Sequence, residues 1–414
     1  MNSPAGPIAT YRRYWLPELM VLALVAVSAI LLFANSNLDN TATGWFYHPE
    51  QYNVWPISGR PLWALFYRAT PWITGSLAVC GVGMIVIGLL RKQSRRFRLY
   101  GLFVLLCVVL GPGLFVNAVF KDHWGRPRPR QTVAFGGQFQ YVQPLVPSRA
   151  GGKSFPCGDA SPGFLFSAGW WLWRRSHPRW AALSLTAGLT LGALLGVGRM
   201  AAGAHFLSDV IWSALIVFCV AHVLYYYVLR IPAREDSRTV MHPLMETNPR
   251  IRTAAIAASC LLGAGIIGGV IFTVPFDRDL TARIRLADYA AVPEQIEVFA
   301  DTLDVDLQLV AGPADEIECT GAVHSFGLPT NEIKQTWEFD RQPLPTLRCR
   351  IVEKGLFTDI DGVAHLRIPV HGLRKIVVRV KKGDISVSNV PGTSAAARAP
   401  VLDLMTVNGR VRRK

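Results

Sequence analysis

The sequence is poor in charged residues. Asp, Glu, Lys and Arg make up 17% of its 414 residues, whereas hydrophobic residues make up 51% and are concentrated in long runs. A run of about 20 apolar residues is long enough to cross the ~30 Å hydrocarbon core of a bilayer as a helix. The composition therefore excludes a protein that is soluble throughout and predicts a membrane domain.

Cysteine and histidine are not spaced as in a zinc site, so the sequence predicts no metal site. Four of the seven cysteines, Cys80, Cys107, Cys219 and Cys260, lie within the long apolar runs, where cysteine packs as a small hydrophobic residue. Cys319 and Cys349 are the two cysteines of the C-terminal region. The sequence does not decide whether they form a disulfide, which an oxidising external location would permit.

We interpret seven apolar runs as membrane-spanning helices: residues 14–33, 71–90, 99–120, 162–173, 180–197, 206–229 and 253–274. The fourth run is short and spans only if its helix begins near Pro156. The first run is longer than the apolar core of about 7 to 15 residues in a signal peptide, which favours an uncleaved anchor.

The basic residues predict the orientation of these helices, because Lys and Arg in short loops favour the cytoplasm. Four basic clusters fall on one side if there are seven spans: Arg12 and Arg13; Arg91, Lys92, Arg95, Arg96 and Arg98; Arg174, Arg175 and Arg179; Arg234, Arg238, Arg250 and Arg252. The N-terminus is then cytoplasmic and the C-terminal region lies outside, in a bacterial periplasm.

One external segment, residues 121–153, is basic against this rule. It carries Lys121, Arg126, Arg128, Arg130, Arg149 and Lys153. An anionic ligand at the membrane surface explains cations on this side. The net charge of +15 is therefore no sign of a nucleic-acid partner.

Another external segment, residues 35–70, is rich in aromatic residues, including Trp45, Tyr47 and Trp55, and we interpret it as lying at the bilayer interface rather than as a lid.

Beyond residue 274 the pattern changes to that of β-strands. Leu303, Val305, Leu307 and Leu309 alternate with polar residues, and similar runs cover residues 364–370, 375–380, 385–390 and 401–407. Turns at 382–384 and 408–410 place two glycines 26 residues apart, which weakly indicates a repeat.

The predicted fold is an all-α polytopic membrane helix bundle with a C-terminal extramembrane β domain. We divide the chain into a membrane domain (1–230), a cytoplasmic linker (231–252), a seventh transmembrane helix (253–274) and a periplasmic β domain of unknown partner (275–414).

Three short stretches at external ends of the runs carry a set of residues suited to phosphate. They are residues 121–129, 154–161 and 198–209. Lys supplies a point charge and Arg a planar fork for two phosphate oxygens. Gly158 lets backbone N–H groups approach an oxyanion. His205 and Asp209 are spaced i, i+4, so on a helix a carboxylate can bind one ring nitrogen and leave the other as a nucleophile.

These stretches resemble the signature of the type 2 phosphatidic acid phosphatase family: Lys-x6-Arg-Pro, Pro-Ser-Gly-His and Ser-Arg-x5-His-x3-Asp. Lys121, Arg128 and Pro129 match the first motif; Arg199, His205 and Asp209 match the third, with Gly198 in place of serine. The resemblance covers roughly residues 70–230. It implies a six-helix core, to which this chain adds one span, and a reaction without metal or cofactor. His205 becomes a phosphohistidine, Asp209 orients it, and Lys121, Arg128 and Arg199 hold the phosphoryl oxygens.

The second motif departs from the family, because Pro156-Cys-Gly-Asp159 stands where the family has Pro-Ser-Gly-His. The resemblance assigns that histidine to protonation of the leaving oxygen, so Asp159 takes the place of the general acid. Desolvation would keep Asp159 protonated, whereas the surrounding cations favour its charged form. Three outcomes stay open: a substrate whose leaving group needs little protonation, a proton from His123, or binding without turnover.

Within this family, the residue patterns at 128–137 and 199–210 look most like those of bacterial lipid A phosphatases. Undecaprenyl diphosphate, phosphatidylglycerophosphate and phosphatidic acid remain alternative phospholipid substrates, and a lipid phosphotransferase would need the same residues. A hypothesis of another class is a catalytically silent phospholipid-binding envelope protein.

Overall fold

The computed structural model describes residues 7–50, 54–57, 61–137, 139–150, 152–236, 249–272, 274–289, 292–310, 316–328, 330–389 and 400–413. They belong to two compact units, Met1–Val270 and Ile271–Lys414. The finer four-part division drawn from the sequence stays a prediction.

The first unit is helical. Its helices are α1 (Pro7–Asn35), α2 (Leu38–Gly44), α3 (Pro61–Leu90), α4 (Arg96–Val108), α5 (Ala160–Leu165), α6 (Ala168–Trp173), α7 (Pro178–Ala201), α8 (Leu207–Val223), α9 (Ile231–Asp236) and α10 (Pro249–Ile271). Short 3-10 turns cover Lys92–Ser94, Pro129–Gln131 and Val133–Phe135. The first six residues of the predicted linker thus form α9, and residues 237–248 lie outside the described residues.

Two helices continue as wider π-helix, α4 through Val109–Lys121 and α8 through Leu224–Val228. Pro112 lies within the first of these segments and has no N–H to donate. The side-chain amide of Asn117 donates to the Pro112 carbonyl at 2.7 Å. This continuation ends at Lys121, so it places that ammonium group at one end of the bundle.

Six described helices are long and apolar enough to cross a membrane: Tyr14–Asn35, Arg68–Leu90, Arg96–Lys121, Pro178–Ala201, Leu207–Val228 and Pro249–Ile271. They match six of the seven predicted runs. The prediction of a polytopic helix bundle followed by a β region is confirmed.

The fourth predicted run differs, because residues 162–173 do not form one long helix. Helices α5 and α6 are separated by Phe166 and Ser167. The broken segment still runs between the two ends of the bundle. At one end Asp159 lies 2.9 Å from Arg199 in the last turn of α7, and at the other Arg174 donates to the hydroxyl of Tyr226, where α8 ends.

Small residues allow the helices to approach closely. A Cβ at Gly101 of α4 would lie 2.3 Å from the Gly81 carbonyl of α3, and one at Gly163 of α5 would lie 2.7 Å from Gly192 of α7. In a membrane, lipid supplies no hydrophobic driving force for helix association. Small residues at the contacts let the helices approach closely and gain van der Waals packing instead. The contact between Gly163 and Gly192 holds α5, and with it the second motif, against α7.

The second unit contains eleven described strands. They are β1 (Val274–Arg285), β2 (Gln295–Thr302), β3 (Asp304–Val310), β4 (Glu316–Gly327), β5 (Glu332–Asp340), β6 (Thr346–Lys354), β7 (Phe357–Pro369), β8 (Lys375–Lys382), β9 (Ile385–Asn389), β10 (Val401–Asn408) and β11 (Val411–Arg413). One sheet has the order β1-β4-β7-β3-β9-β11 and the other β10-β8-β2-β6-β5.

The predicted repeat is present in this unit. β8 pairs in parallel with β2 and β10, while β9 pairs in parallel with β3 and β11. Each pair β2–β3, β8–β9 and β10–β11 therefore crosses from one sheet to the other at a tight turn. The turns stack, since the Gly383 N–H donates to the Asn408 carbonyl at 3.1 Å. The 26-residue spacing of the two glycines is the length of one such layer.

The core of the second unit follows the alternation read from the sequence. Val305, Leu307 and Leu309 are buried in β3, and each such side chain contributes about 1.5–3 kcal/mol by leaving water. Cys319 and Cys349 belong to the same core and are free thiols. Burial raises the pKa of Cys319 to about 11. The disulfide that the sequence left open is not formed in this structure.

Candidate active site

The three motif stretches meet at one end of the helix bundle and are joined through their backbones. The Ser154 N–H donates to the Arg126 carbonyl at 3.0 Å, which joins the second stretch to the first. The Cys157 N–H donates to the Asp209 carbonyl at 3.1 Å, which joins the second to the third. The Arg130 N–H completes the set by donating to the Gly203 carbonyl at 3.0 Å.

His205 lies in the loop just before α8 and is almost fully buried. Its Nδ1 is 2.6 Å from the carbonyl oxygen of Ser154. A carbonyl oxygen only accepts hydrogen bonds, so Nδ1 carries the proton and the lone pair of the neutral ring is on Nε2. Burial lowers the pKa of His205 below its ordinary value of 6.5, although Asp209 opposes this shift. The ring is therefore neutral near pH 7, as a nucleophile requires.

The i, i+4 spacing had suggested a direct hydrogen bond between Asp209 and His205, but the structure does not show one. His205 precedes the helix, and its Nδ1 is 3.7 Å from the nearest Asp209 oxygen. That oxygen accepts hydrogen bonds from the Ser154 hydroxyl at 2.6 Å and the Phe206 N–H at 2.8 Å. Asp209 is thus connected to His205 through Ser154, whose hydroxyl donates to Asp209 and whose carbonyl accepts from the imidazole.

Arg126 forms the buried centre of the site. Its guanidinium binds the carboxylates of Asp209 and Asp39, the latter at 2.9 Å, and lies 4.5 Å from the centre of the Phe206 ring. Burial alone would lower the pKa of Arg126, but the two carboxylates raise it above its ordinary value. Removing one partner of a buried ion pair costs about 3–5 kcal/mol, because the other charge is left without compensation.

The sequence interpretation missed Asp39 and treated Arg126 only as one of several basic residues. Asp39 lies in α2, far from the motifs in the chain, and its side chain is buried. Its oxygens accept from the N–H of Ser208 at 2.8 Å, from the Ser208 hydroxyl at 2.6 Å and from the hydroxyl of Tyr141 at 2.9 Å. A carboxylate so close to the end of an apolar run is the signal that could have identified it, since such a charge needs a partner.

Asp159 lies among the predicted phosphate ligands. Its carboxylate forms an ion pair with Arg199 at 2.9 Å. Burial would raise the pKa of Asp159, but Arg199, Lys121, His205 and Arg128 together hold it below its ordinary range. The structure therefore gathers these predicted residues around one carboxylate and keeps that carboxylate ionised.

Gly158 brings the backbone close to Lys121. A Cβ at this position would lie 2.6 Å from the Asn117 side-chain oxygen and 3.7 Å from Lys121 Nζ. Any larger residue would therefore fill the space beside the ammonium group. Arg128 is buried, and its backbone N–H donates to the Gln131 side chain at 2.9 Å within the turn Pro129–Gln131.

Part of the aromatic segment packs against the site loops. The rings of Tyr47 and Trp55 both pack on Phe135, at 5.3 and 5.7 Å between ring centres. Trp55 also lies against Gly203, whose φ of +63° favours glycine and whose Cβ would come within 2.5 Å of the indole. Trp45, by contrast, is exposed, and the position of the segment at the bilayer interface stays a prediction.

No cluster of three or more His, Cys, Asp or Glu side chains able to hold a metal ion occurs within the described part of the chain. Independence from metal stays a prediction.

Comparison with known families matches residues 101–232, which contain the three motifs, to the model of the PAP2 superfamily. Residues 101–232 form a PAP2 superfamily domain. The resemblance to type 2 phosphatidic acid phosphatases is confirmed. Asp39, which completes the buried ion pair, lies outside the part of the chain that the PAP2 model matches.

Curated proteins similar to this chain carry the name lipid A 4'-phosphatase. The Francisella tularensis subsp. novicida protein is 39% identical over 141 residues, which are 34% of this chain and 63% of that protein. Those of Rhizobium leguminosarum and Rhizobium etli are each 38% identical, over 27% and 31% of this chain and 48% and 49% of their own lengths. The chain therefore spans less than two thirds of each of these relatives.

One solved structure, of a Clostridium sporogenes protein described as a candidate for cell adhesion, is 8% identical. It covers 34% of this chain and 99% of that protein with a TM-score of 0.19. A likeness this weak carries no argument about fold or function.

Proposed function

We propose that this chain is a lipid phosphatase of the bacterial inner membrane, that it acts on lipid A or a similar phospholipid, and that it works through a phosphohistidine at the periplasmic face. The observation that carries the proposal is the tautomer of His205, whose Nδ1–H is held by the Ser154 carbonyl so that Nε2 has the lone pair. The names of the similar curated proteins support lipid A as the substrate class.

In the first step Nε2 of His205 attacks phosphorus, and the bond from phosphorus to the leaving oxygen breaks. Lys121, Arg128 and Arg199 stabilise the charge on the three phosphoryl oxygens. The lipid leaves as an alcohol once its oxygen has taken a proton from solvent water. In the second step water attacks the phosphohistidine, inorganic phosphate leaves, and the His205 lone pair is restored.

The proposed orientation follows from the ends of the bundle. The site lies where α4 and its continuation end at Lys121, whereas Arg96 is at the beginning of the same continuous helix. Arg174 and Arg175 likewise follow α6, away from Asp159. With the basic loops in the cytoplasm, the site faces the periplasm.

A second candidate function, phospholipid binding without turnover, is favoured by the ion pair of Asp159 with Arg199. An ionised carboxylate has no proton for the leaving oxygen. Phosphate release by purified protein in detergent, compared for lipid A, a polyprenyl diphosphate and phosphatidic acid, separates the two functions and narrows the substrate. Release from none of the three would overturn the phosphatase proposal.

We expect Asp159→His to raise phosphate release from a phosphomonoester lipid by about tenfold or more, because an imidazolium supplies the general acid at this position. Release from a diphosphate, whose leaving group needs little protonation, should change by less than about threefold. Initial rates on the two lipids, measured side by side, provide the test. An unchanged rate of Asp159→His on the phosphomonoester would contradict the expectation, and Asp159→Ala, which supplies no general acid, is the control that should show no such gain.

We expect kcat/KM to fall on the acid side with an apparent pKa below 6.5, the ordinary value for histidine. The reason is that His205 attacks only when neutral, and burial lowers the pKa of its ring. Activity is thus present above the lowered pKa and is lost as the pH falls through it. A pH profile of phosphate release provides the measurement, and an acid limb above pH 7 would contradict it.

A further inference from the structure

All the hydrogen-bond donors of Arg126 are used inside the protein. The guanidinium has five N–H groups. Nε donates to the Val142 carbonyl at 2.8 Å, and Nη1 donates to the Ser208 hydroxyl at 2.8 Å and to Asp209. Nη2 donates to Asp39 at 2.9 Å and to the Tyr141 hydroxyl at 3.4 Å. Arg126 therefore has no donor left for a phosphate, although it lies between the family's motif residues Lys121 and Arg128.

Two contacts of Asp39 link α2 to the first turn of α8. Asp39 accepts from the backbone and the hydroxyl of Ser208, and Ser208 is the neighbour of Asp209. Asp39 also binds the same guanidinium that binds Asp209. It thus reaches Asp209 by two routes, one through the helix and one through Arg126.

From Asp209 the contacts continue to the nucleophile. Asp209 accepts from the Ser154 hydroxyl at 2.6 Å, and the Ser154 carbonyl accepts from His205 Nδ1 at 2.6 Å. A small displacement of Asp209 therefore moves the carbonyl that sets both the tautomer and the direction of the imidazole.

We propose that Asp39 and Arg126 are positioning residues for the phosphoryl transfer, which fix the place and the effective charge of Asp209 and through Ser154 orient His205. This inference rests on the proposed function. It also makes α2, which precedes the matched PAP2 residues 101–232, a necessary part of the active site.

The charges of the cluster give the proposal a measurable signature. Arg126 is shared by two carboxylates, so the cluster next to His205 is anionic. Arg199 from α7 and Asp159 from the start of α5 also act on the charge of His205, and Lys121 and Arg128 act on Asp159 beside it. Neutralising Asp39 makes the surroundings of His205 more positive, which disfavours the imidazolium. Neutralising Arg126 makes them more negative, which favours it.

The test compares Asp39→Asn and Arg126→Gln in the full-length protein in detergent, with Arg341→Gln as a control because Arg341 is an exposed arginine of the second unit and has no part in the proposed site. We expect kcat to fall about 10- to 100-fold in both variants, as misplacement of a reacting group does, with KM changed less than about threefold. The acid limb of the pH profile should move to lower pH in Asp39→Asn and to higher pH in Arg126→Gln. The control should keep wild-type kcat and pH profile.

Ser208→Ala keeps every charge and removes one hydroxyl between Asp39 and Arg126, so it should lower kcat without moving the acid limb. Wild-type kcat in Asp39→Asn, or acid limbs that move in the same direction in both charge variants, would overturn the proposal. If Arg126→Gln does not fold, Asp39→Asn and Ser208→Ala decide it. An inactive wild type would instead refute the phosphatase function, so the two failures are distinguishable.

Discussion

Replacing His205 with alanine is expected to abolish phosphate release from lipid substrates, with a loss of at least about 10³-fold in kcat, because the variant has no atom that can take the phosphoryl group. The three cations and the helix bundle remain in place, so the variant should still bind lipid. The measurement is inorganic phosphate released by purified protein in detergent.

A second measurement follows the intermediate itself. When lipid labelled in its phosphate is mixed with wild-type protein and the reaction is quenched, label should remain on the protein in alkali and be lost in acid, since a phosphorus–nitrogen bond is labile to acid. His205→Ala should carry none. His177→Ala provides the control, because His177 is exposed at the opposite end of the bundle, before α7. Full phosphate release in His205→Ala would refute the mechanism entirely.

The sequence predicted the parts of the site that depend on residue type and order. His205 and Asp209 were singled out by their spacing, and Lys121, Arg128 and Arg199 by the resemblance to the family motifs. The structure places all five at one end of the bundle. The membrane helices followed from long apolar runs, and the strands of the second unit followed from alternation, as in β3. Both patterns are local in the chain, and a local pattern is sufficient to predict an element.

What the sequence did not show depends on contacts between distant residues. Asp39 and Arg126 are 87 positions apart, and no periodicity joins them. The acceptor of His205 is a backbone carbonyl, that of Ser154, which no side-chain motif identifies. The break between α5 and α6 and the packing of Trp55 on Phe135 likewise arise from neighbours that fold next to them. The roles of the motif residues remain predictions for experiment.

The second large effect is expected in Asp209→Asn. The carboxylate uses one oxygen for Arg126 and the other for Ser154 and the Phe206 N–H. An asparagine has only one oxygen, so its NH2 group must face either the guanidinium or the Phe206 N–H, and two donors then meet. Either orientation weakens the hold on Ser154, whose carbonyl fixes the imidazole. We expect kcat to fall about 10²- to 10⁴-fold, as when an orienting carboxylate is neutralised in other histidine-dependent enzymes.

Comparison with Ser154→Ala isolates the part of this loss that passes through Ser154. That variant removes the hydroxyl but keeps the backbone carbonyl and the Asp209 charge. It should therefore lose less activity than Asp209→Asn, and the double variant should lose less than the product of the two single losses, because the two residues act on His205 in series. Losses that multiply would show that Asp209 acts on His205 independently of Ser154. In that case the 3.7 Å separation between Asp209 and Nδ1 would have to close when substrate binds, and the direct contact expected from the i, i+4 spacing would form in the complex.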